Sequence, residues 1–227
     1  MSRFLVVNAD DFGYSPGINR GILECHTNGI VTSTSCMVTG YAVDEAAALS
    51  AEHPTLSVGL HWDVFGEDER TFDLEDLGAV RDEFNRQLER FLEVFGRPPT
   101  HVDSHRHAHR EPQVMALFEE LVGPLGVPLR HAGKVRYVGH FYAQWKWLET
   151  DLEKVSVPSL QRVLREEVGE GWTELACHPG YMTPEFPSIY YDEREVEIQT
   201  LTDPRIRKTT DELGITLVGY ADYPDGV

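Results

Sequence analysis

Apolar and polar positions along this chain fall into blocks that switch between a strand period and a helix period. The run Phe4-Leu5-Val6-Val7 lies within residues 3–9, which read as a buried strand, and a turn signal follows at Asp10-Asp11-Phe12-Gly13. Residues 16–29 start at Pro16 and end at Gly29, the asymmetry of a helix, and place Ile18, Ile22, Leu23 and Cys25 on one face. The β-branched, Thr-rich stretch 30–38 predicts a second strand. The Ala-rich stretch 44–53 predicts a helix stopped by Pro54, and 57–61 a third strand. The acidic stretch 63–79, with Gly66 and Gly78, reads as a loop. Val80, Phe84, Leu88, Phe91, Leu92 and Phe95 recur at helical spacing and predict an amphipathic helix over 80–95.

Further along, residues 100–103 open a strand, 111–123 form a helix and 127–131 a short strand. Residues 160–168 are helical, and 174–177 form a strand that stops at His178-Pro179-Gly180. Residues 192–201 and 203–213 read as helices, and 215–220 as the last strand. This alternation predicts one domain over residues 1–227, an α/β fold with a parallel sheet covered by helices. About seven strands point to a TIM-like (β/α) barrel, complete or incomplete, whose chemistry sits at the C-terminal ends of its strands. Asp10-Asp11, His61, the 101–109 run, Arg130-His131 and His178 all fall at such ends.

Composition narrows the function. Hydrophobic residues make up 41% of the 227, enough for a sizeable core. The net charge of -18 argues against nucleic acid and against anionic membrane surfaces. Cys25, Cys36 and Cys177 lack the number and spacing of a disulfide framework or a Cys-rich zinc site, so they read as free thiols in a reducing compartment. No stretch has the apolar core of a signal peptide or the length of a membrane span. The expectation is a cytoplasmic protein with no membrane and no nucleic-acid partner.

Chemistry concentrates in His101-Val102-Asp103-Ser104-His105-Arg106-His107-Ala108-His109, where four His and one Asp occupy alternate positions. While the chain is extended all five face one side. Crowded imidazoles are costly to bury, and a metal ion would relieve that cost. His61 falls at the same predicted end of the sheet as Asp11 and His105. One carboxylate and two imidazoles can hold an ion and leave positions open for water and substrate, as in a catalytic site. Asp11 can then bind the metal while Asp10 takes the proton from attacking water. His178, opposite the base, can protonate a leaving amine. Arg130 can anchor a substrate carboxylate, pair with Asp10 or be a surface charge. Phe141, Tyr142, Trp145 and Trp147 can stack on sugar rings or fill core.

Several separated motifs, in order, resemble the YdjC-like carbohydrate deacetylases. They are Asn8-Ala9-Asp10-Asp11-Phe12-Gly13, Val31-Thr32-Ser33-Thr34-Ser35, Gly59-Leu60-His61, the run from Thr100 to His107, and Cys177-His178-Pro179-Gly180-Tyr181. Arg194-Glu195, Leu201-Thr202-Asp203-Pro204 and Gly214-Ile215 extend the resemblance along the chain. It implies a TIM-like barrel that removes the N-acetyl group of an amino sugar and releases acetate. It also implies Asp11, His61 and His105 as ligands of one divalent ion, Asp10 as base and His178 as acid, with His107 as a rival or support for His105. The family resemblance implies magnesium, whereas two imidazoles and a carboxylate suit zinc or another transition metal. After His61 the chain departs from a His-Leu-Asn-Leu-Thr type of continuation, and Trp62-Asp63-Val64-Phe65-Gly66 leads into a short acidic loop expected to help shape the cleft. Another metal-dependent hydrolase, such as a phosphoesterase, and a catalytically silent sugar- or metal-binding protein are the competing readings. The presence of Asp10 speaks against the silent one. A homodimer through apolar surface is a further expectation.

Overall fold

The strand β1 (Arg3–Phe12) is buried from Leu5 onward. A strand covered on both faces reads as a continuous apolar run. The computed structural model describes residues 2–66, 72–146, 149–186 and 188–224. Around β1 it places β2 (Ser33–Cys36), β3 (Ser57–Trp62), β4 (Val102–Ser104), β5 (Arg136–Val138), β6 (Gly171–Cys177) and β7 (Ile215–Leu217). The helices are α1 (Pro16–Asn28), α2 (Val43–Glu52), α3 (Leu77–Phe95), α4 (Pro112–Val122), α5 (Val157–Glu166), α6 (Asp192–Leu201) and α7 (Pro204–Glu212).

The pairings among these strands are all parallel, in the order β4-β3-β2-β1-β6-β5, with β7 beside the first residues of β1. The sheet curls into part of a barrel and stays open between β4 and β5, so the α/β barrel is of the incomplete kind. The expected strand at 127–131 is reduced to one bridge, Val102 to Leu129. Val102 N–H donates to the Pro128 carbonyl and Arg130 N–H to the Val102 carbonyl, before His131 turns away at φ 66°. The strand that completes the order, β5, lies in a stretch without an apolar run, which is why pattern alone did not reveal it. Among the described residues no helix is long and apolar enough to cross a membrane.

Local chemistry sets the helix ends. Ser15 caps α1 by accepting the Ile18 N–H at 3.3 Å, and Pro16 occupies the first turn. Asp76 caps α3, and Gly96 ends it in the left-handed conformation at φ 64°. Two glycines allow close approaches that locate site residues. A methyl group on Gly17 would collide with the Tyr181 carbonyl oxygen, so α1 can hold the turn after His178 only through a glycine there. A methyl group on Gly59 would strike the His101 ring, which stacks at 4.1 Å on Tyr220.

Candidate active site

Strand alternation would send neighbouring carboxylates to opposite faces of the sheet. At Asp10-Asp11 the pairing of β1 with β2 is irregular between Ala9 and Phe12, and Asp11 has φ 71°. Bulges of this kind re-aim side chains, and here Asp10 and Asp11 both line one cavity of about 490 Å³. Arg106, His107 and His131 are the other described non-glycine residues at positive φ, and Arg106 and His107 line the same cavity.

Asp11, His61 and His105 offer ligand atoms that all lie within 4.8 Å of one another. Asp11 Oδ1 is 3.4 Å from His61 Nε2 and 3.4 Å from His105 Nδ1, and it accepts no hydrogen bond among the described residues. An orphaned carboxylate oxygen facing two imidazole nitrogens fits a cation. His61 Nδ1 meets Asp103 Oδ1 at 2.6 Å, which turns Nε2 toward Asp11. A carboxylate behind an imidazole in this way is the usual outer support of a metal-binding His. Burial opposes a charge on His61 and on His105, yet the surrounding carboxylates outweigh it and push both above the ordinary imidazole range. Burial likewise opposes charge on Asp11, and Arg194 with the two imidazoles overrides it to hold the carboxyl well below the usual range. In this cluster the buried carboxylates Asp10, Asp11, Asp103 and Glu174 face the buried guanidiniums of Arg130 and Arg194. Asp11, His61 and His105 are a group that could hold a divalent ion in such a cluster.

Asp10, His61 and Asp103 form a second close group. Arg130 already occupies its charge: Nη1 and Nη2 each reach an Asp10 oxygen at 2.7 Å, and Nη2 is 2.8 Å from Asp103. Its Nε donates to Glu174 at 2.8 Å. The Arg130 side chain has no solvent exposure. Of the roles the sequence left open, the geometry supports pairing with Asp10 and argues against the expected substrate contact. Burial alone would raise the Asp10 pKa, but the Arg130 charge and hydrogen bonds bring it below the ordinary value. His178 Nε2 lies 3.7 Å from Asp10 Oδ2. Burial pushes the His178 imidazole down to about 4, so its resting form near neutral pH is uncharged.

The 101–109 run does not stay extended. β4 ends at Ser104, and His105–Arg110 forms a 3-10 turn with left-handed Arg106 and His107. The five alternating side chains therefore part. His101 packs in the core on Tyr220, and His109 meets the Ser104 hydroxyl at 2.6 Å and the Arg130 carbonyl at 3.0 Å. Asp103 backs His61, and His105 alone of the four imidazoles joins Asp11. His107 leans on the Tyr137 hydroxyl at 3.1 Å, apart from the close group.

Sequence reasoning assigned no role to Asp103, Glu174, Arg194 or Glu197. Asp103 was visible in the alternation, and Glu174 as a carboxylate in an apolar strand. Arg194 and Glu197 sit on α6; Arg194 was marked only by the Arg194-Glu195 motif of the resemblance, and nothing in the periodicity marks Glu197. Arg194 Nη2 donates to Asp11 Oδ2 at 2.6 Å. Phe141, Tyr142 and Trp145 line the cavity, Phe141 buried and Trp145 exposed, and Trp147 lies outside the described residues. The described residues 62–66 do not line it: Trp62 is buried against Phe118, and Asp63 accepts the Phe65 and Gly66 N–H groups. The short loop thus has no part in the cleft through those residues.

A family model for YdjC-like protein matches residues 4–212. A chitooligosaccharide deacetylase of Serratia marcescens is 34% identical over 98% of this chain and 100% of its own length. A carbohydrate deacetylase of Geobacillus stearothermophilus is 35% identical over 98% of this chain and 99% of its own. An Enterococcus faecalis structure, provisionally described as a cellobiose-phosphate cleavage protein, superposes with a TM-score of 0.84 at 25% identity, over 97% of this chain and 98% of that one. The fold alone is shared with a family 4 carbohydrate esterase from Streptomyces lividans in complex with acetate, at a TM-score of 0.60 and 11% identity over 95% and 91% of the two chains.

Proposed function

The chain belongs to the YdjC-like protein family, and on that premise we propose that it is a metal-dependent deacetylase of N-acetylated amino sugars. The reading extends to this chain what the names of its deacetylase relatives say of them. The observation that carries it is the gathering of Asp11, His61 and His105 within 4.8 Å, with Asp10 and His178 on the wall of the same cavity.

Asp11, His61 and His105 would hold one divalent ion, which when bound lowers the pKa of water and polarises a carbonyl oxygen. The donor set, two imidazoles and one carboxylate with Asp103 behind His61, suits zinc or a similar transition metal better than magnesium. Arg130 keeps Asp10 ionised and aimed, so Asp10 can take the proton of a water attacking the acetamide carbon. The proton then resides on a carboxyl 3.7 Å from His178 Nε2. A neutral His178 can receive it and deliver it to the departing amine, whose C–N bond breaks as acetate leaves. A phosphoesterase would gain from cations facing substrate; of the two arginines on the cavity wall, Arg106 and Arg194, the latter is bonded to Asp11 and to the His178 and Tyr190 carbonyls.

The test is acetate release from a panel of N-acetylated mono- and oligosaccharides, before and after chelation and with single metals restored. Equal yields of acetate and free amine, lost on chelation and recovered with a transition metal, are expected. No acetate from any N-acetylated sugar under any metal would overturn the reading.

A further inference from the structure

The helix α6 buries three charged residues, Glu193, Arg194 and Glu197. A buried charge is costly unless hydrogen bonds satisfy it, so the partners of each indicate its use. Glu197 is wholly buried. Its Oε2 accepts the backbone N–H of His178 at 2.5 Å, and its Oε1 accepts the Tyr190 hydroxyl at 2.5 Å. Arg194, one turn earlier, donates to the His178 carbonyl at 3.2 Å and to the Tyr190 carbonyl at 3.0 Å. Both backbone polar groups of His178 are therefore held by side chains of one helix.

The His178 ring has less support of its own. Nδ1 is buried and finds no hydrogen-bond partner among the described residues. The rings of Tyr142 and Tyr190 stack on each other 4.8 Å apart, and the imidazole lies beside the pair, tilted to both, at 5.4 and 5.6 Å. With no hydrogen bond to fix Nδ1, the aim of Nε2 toward Asp10 depends on the backbone and on these rings. Glu197 is bonded both to that backbone and to one of the rings.

We infer that Glu197 is a positioning residue for proton transfer, fixing the His178 backbone and the Tyr190 ring so that His178 Nε2 faces Asp10. The inference rests on the deacetylase reading, with His178 as proton donor. An amide at position 197 has only one acceptor oxygen, so Glu197→Gln keeps the size of the side chain but turns an amide N–H toward either the His178 N–H or the Tyr190 hydroxyl, and one of these two donors loses its acceptor.

The experiment uses the zinc-loaded protein and measures acetate-release kinetics together with zinc affinity by calorimetry. The variants are Glu197→Gln and Tyr190→Phe, each alone and combined with His178→Ala. Glu197→Gln is expected to lower kcat roughly 10- to 100-fold, part of what acid–base catalysis contributes. KM and zinc affinity should stay within about twofold, as for a residue that acts only on the chemical step. Tyr190→Phe should show a smaller loss of the same kind, and it carries the test if Glu197→Gln does not fold. Neither should lower kcat further in the His178→Ala background, because residues that act through one another are not additive. An unchanged kcat, a parallel loss of zinc affinity, or effects that multiply on His178→Ala would overturn the inference. Wild-type protein that binds zinc but releases no acetate would remove the deacetylase reading itself, and the inference with it.

Discussion

Asp10 stands between two flanks built from different materials. On the β3–β4 side, His61 and His105 are buried among carboxylates, which push both imidazoles upward and make the region hungry for positive charge. On the β6–α6 side, His178 is partly buried beside a stacked pair of tyrosine rings, and desolvation pushes it down to about 4. In the proposed reaction the same kind of side chain would thus serve as a ligand on one flank and as a neutral proton carrier on the other. Desolvation acts on all three; carboxylates hydrogen-bonded to His61 and His105 overcome it, whereas at His178 the Arg194 and Arg130 charges offset Asp10 and Asp11.

The sharpest way to break this contrast is to remove a ligand. His105→Ala should abolish tight metal binding and nearly all turnover, whereas His107→Ala should retain both to a large extent. Calorimetry with zinc on the two variants checks the order, and the reverse order would move the ligand to His107. On the other flank, His178→Ala should lower kcat roughly 100- to 10,000-fold, the range of a general acid–base group, with metal affinity unchanged. A matching fall in metal affinity would erase the distinction between the flanks. Asp103→Asn probes the support behind His61 and should weaken metal affinity roughly 10- to 100-fold. The smallest effect lies away from the cavity. Tyr220 donates to Glu174 at 2.7 Å, and Tyr220→Phe leaves a buried carboxylate oxygen without that donor. Chemical denaturation should show a loss of about 1–3 kcal/mol.

The charge-seeking flank was more legible than the neutral one. Asp11 and His61 each end or follow an apolar run and His105 lies in the His-rich 101–109 run, and the rule that chemistry sits at C-terminal strand ends placed all three at one end of the sheet. Asp10 and His178 were found by the same reasoning. The alternation of the 101–109 run misled, because it assumed an extended chain where Arg106 and His107 turn left-handed. A turn of that kind in non-glycine residues has no periodic signature. Arg130 was left among three roles, substrate anchor, partner of Asp10 or surface charge, because its burial among three carboxylates from β1, β4 and β6 is a tertiary fact. The bulge that aims Asp10 and Asp11 into one cavity, and the buried charges of α6, are equally non-local.

The division of labour between the adjacent carboxylates is the central claim, and Asp10→Asn tests it most directly. Zinc titration and acetate release measured on that one variant should show an affinity close to wild type and a turnover near the detection limit. Undiminished turnover would remove Asp10 as the base, and loss of zinc binding would show that the two carboxylates do not have separate tasks.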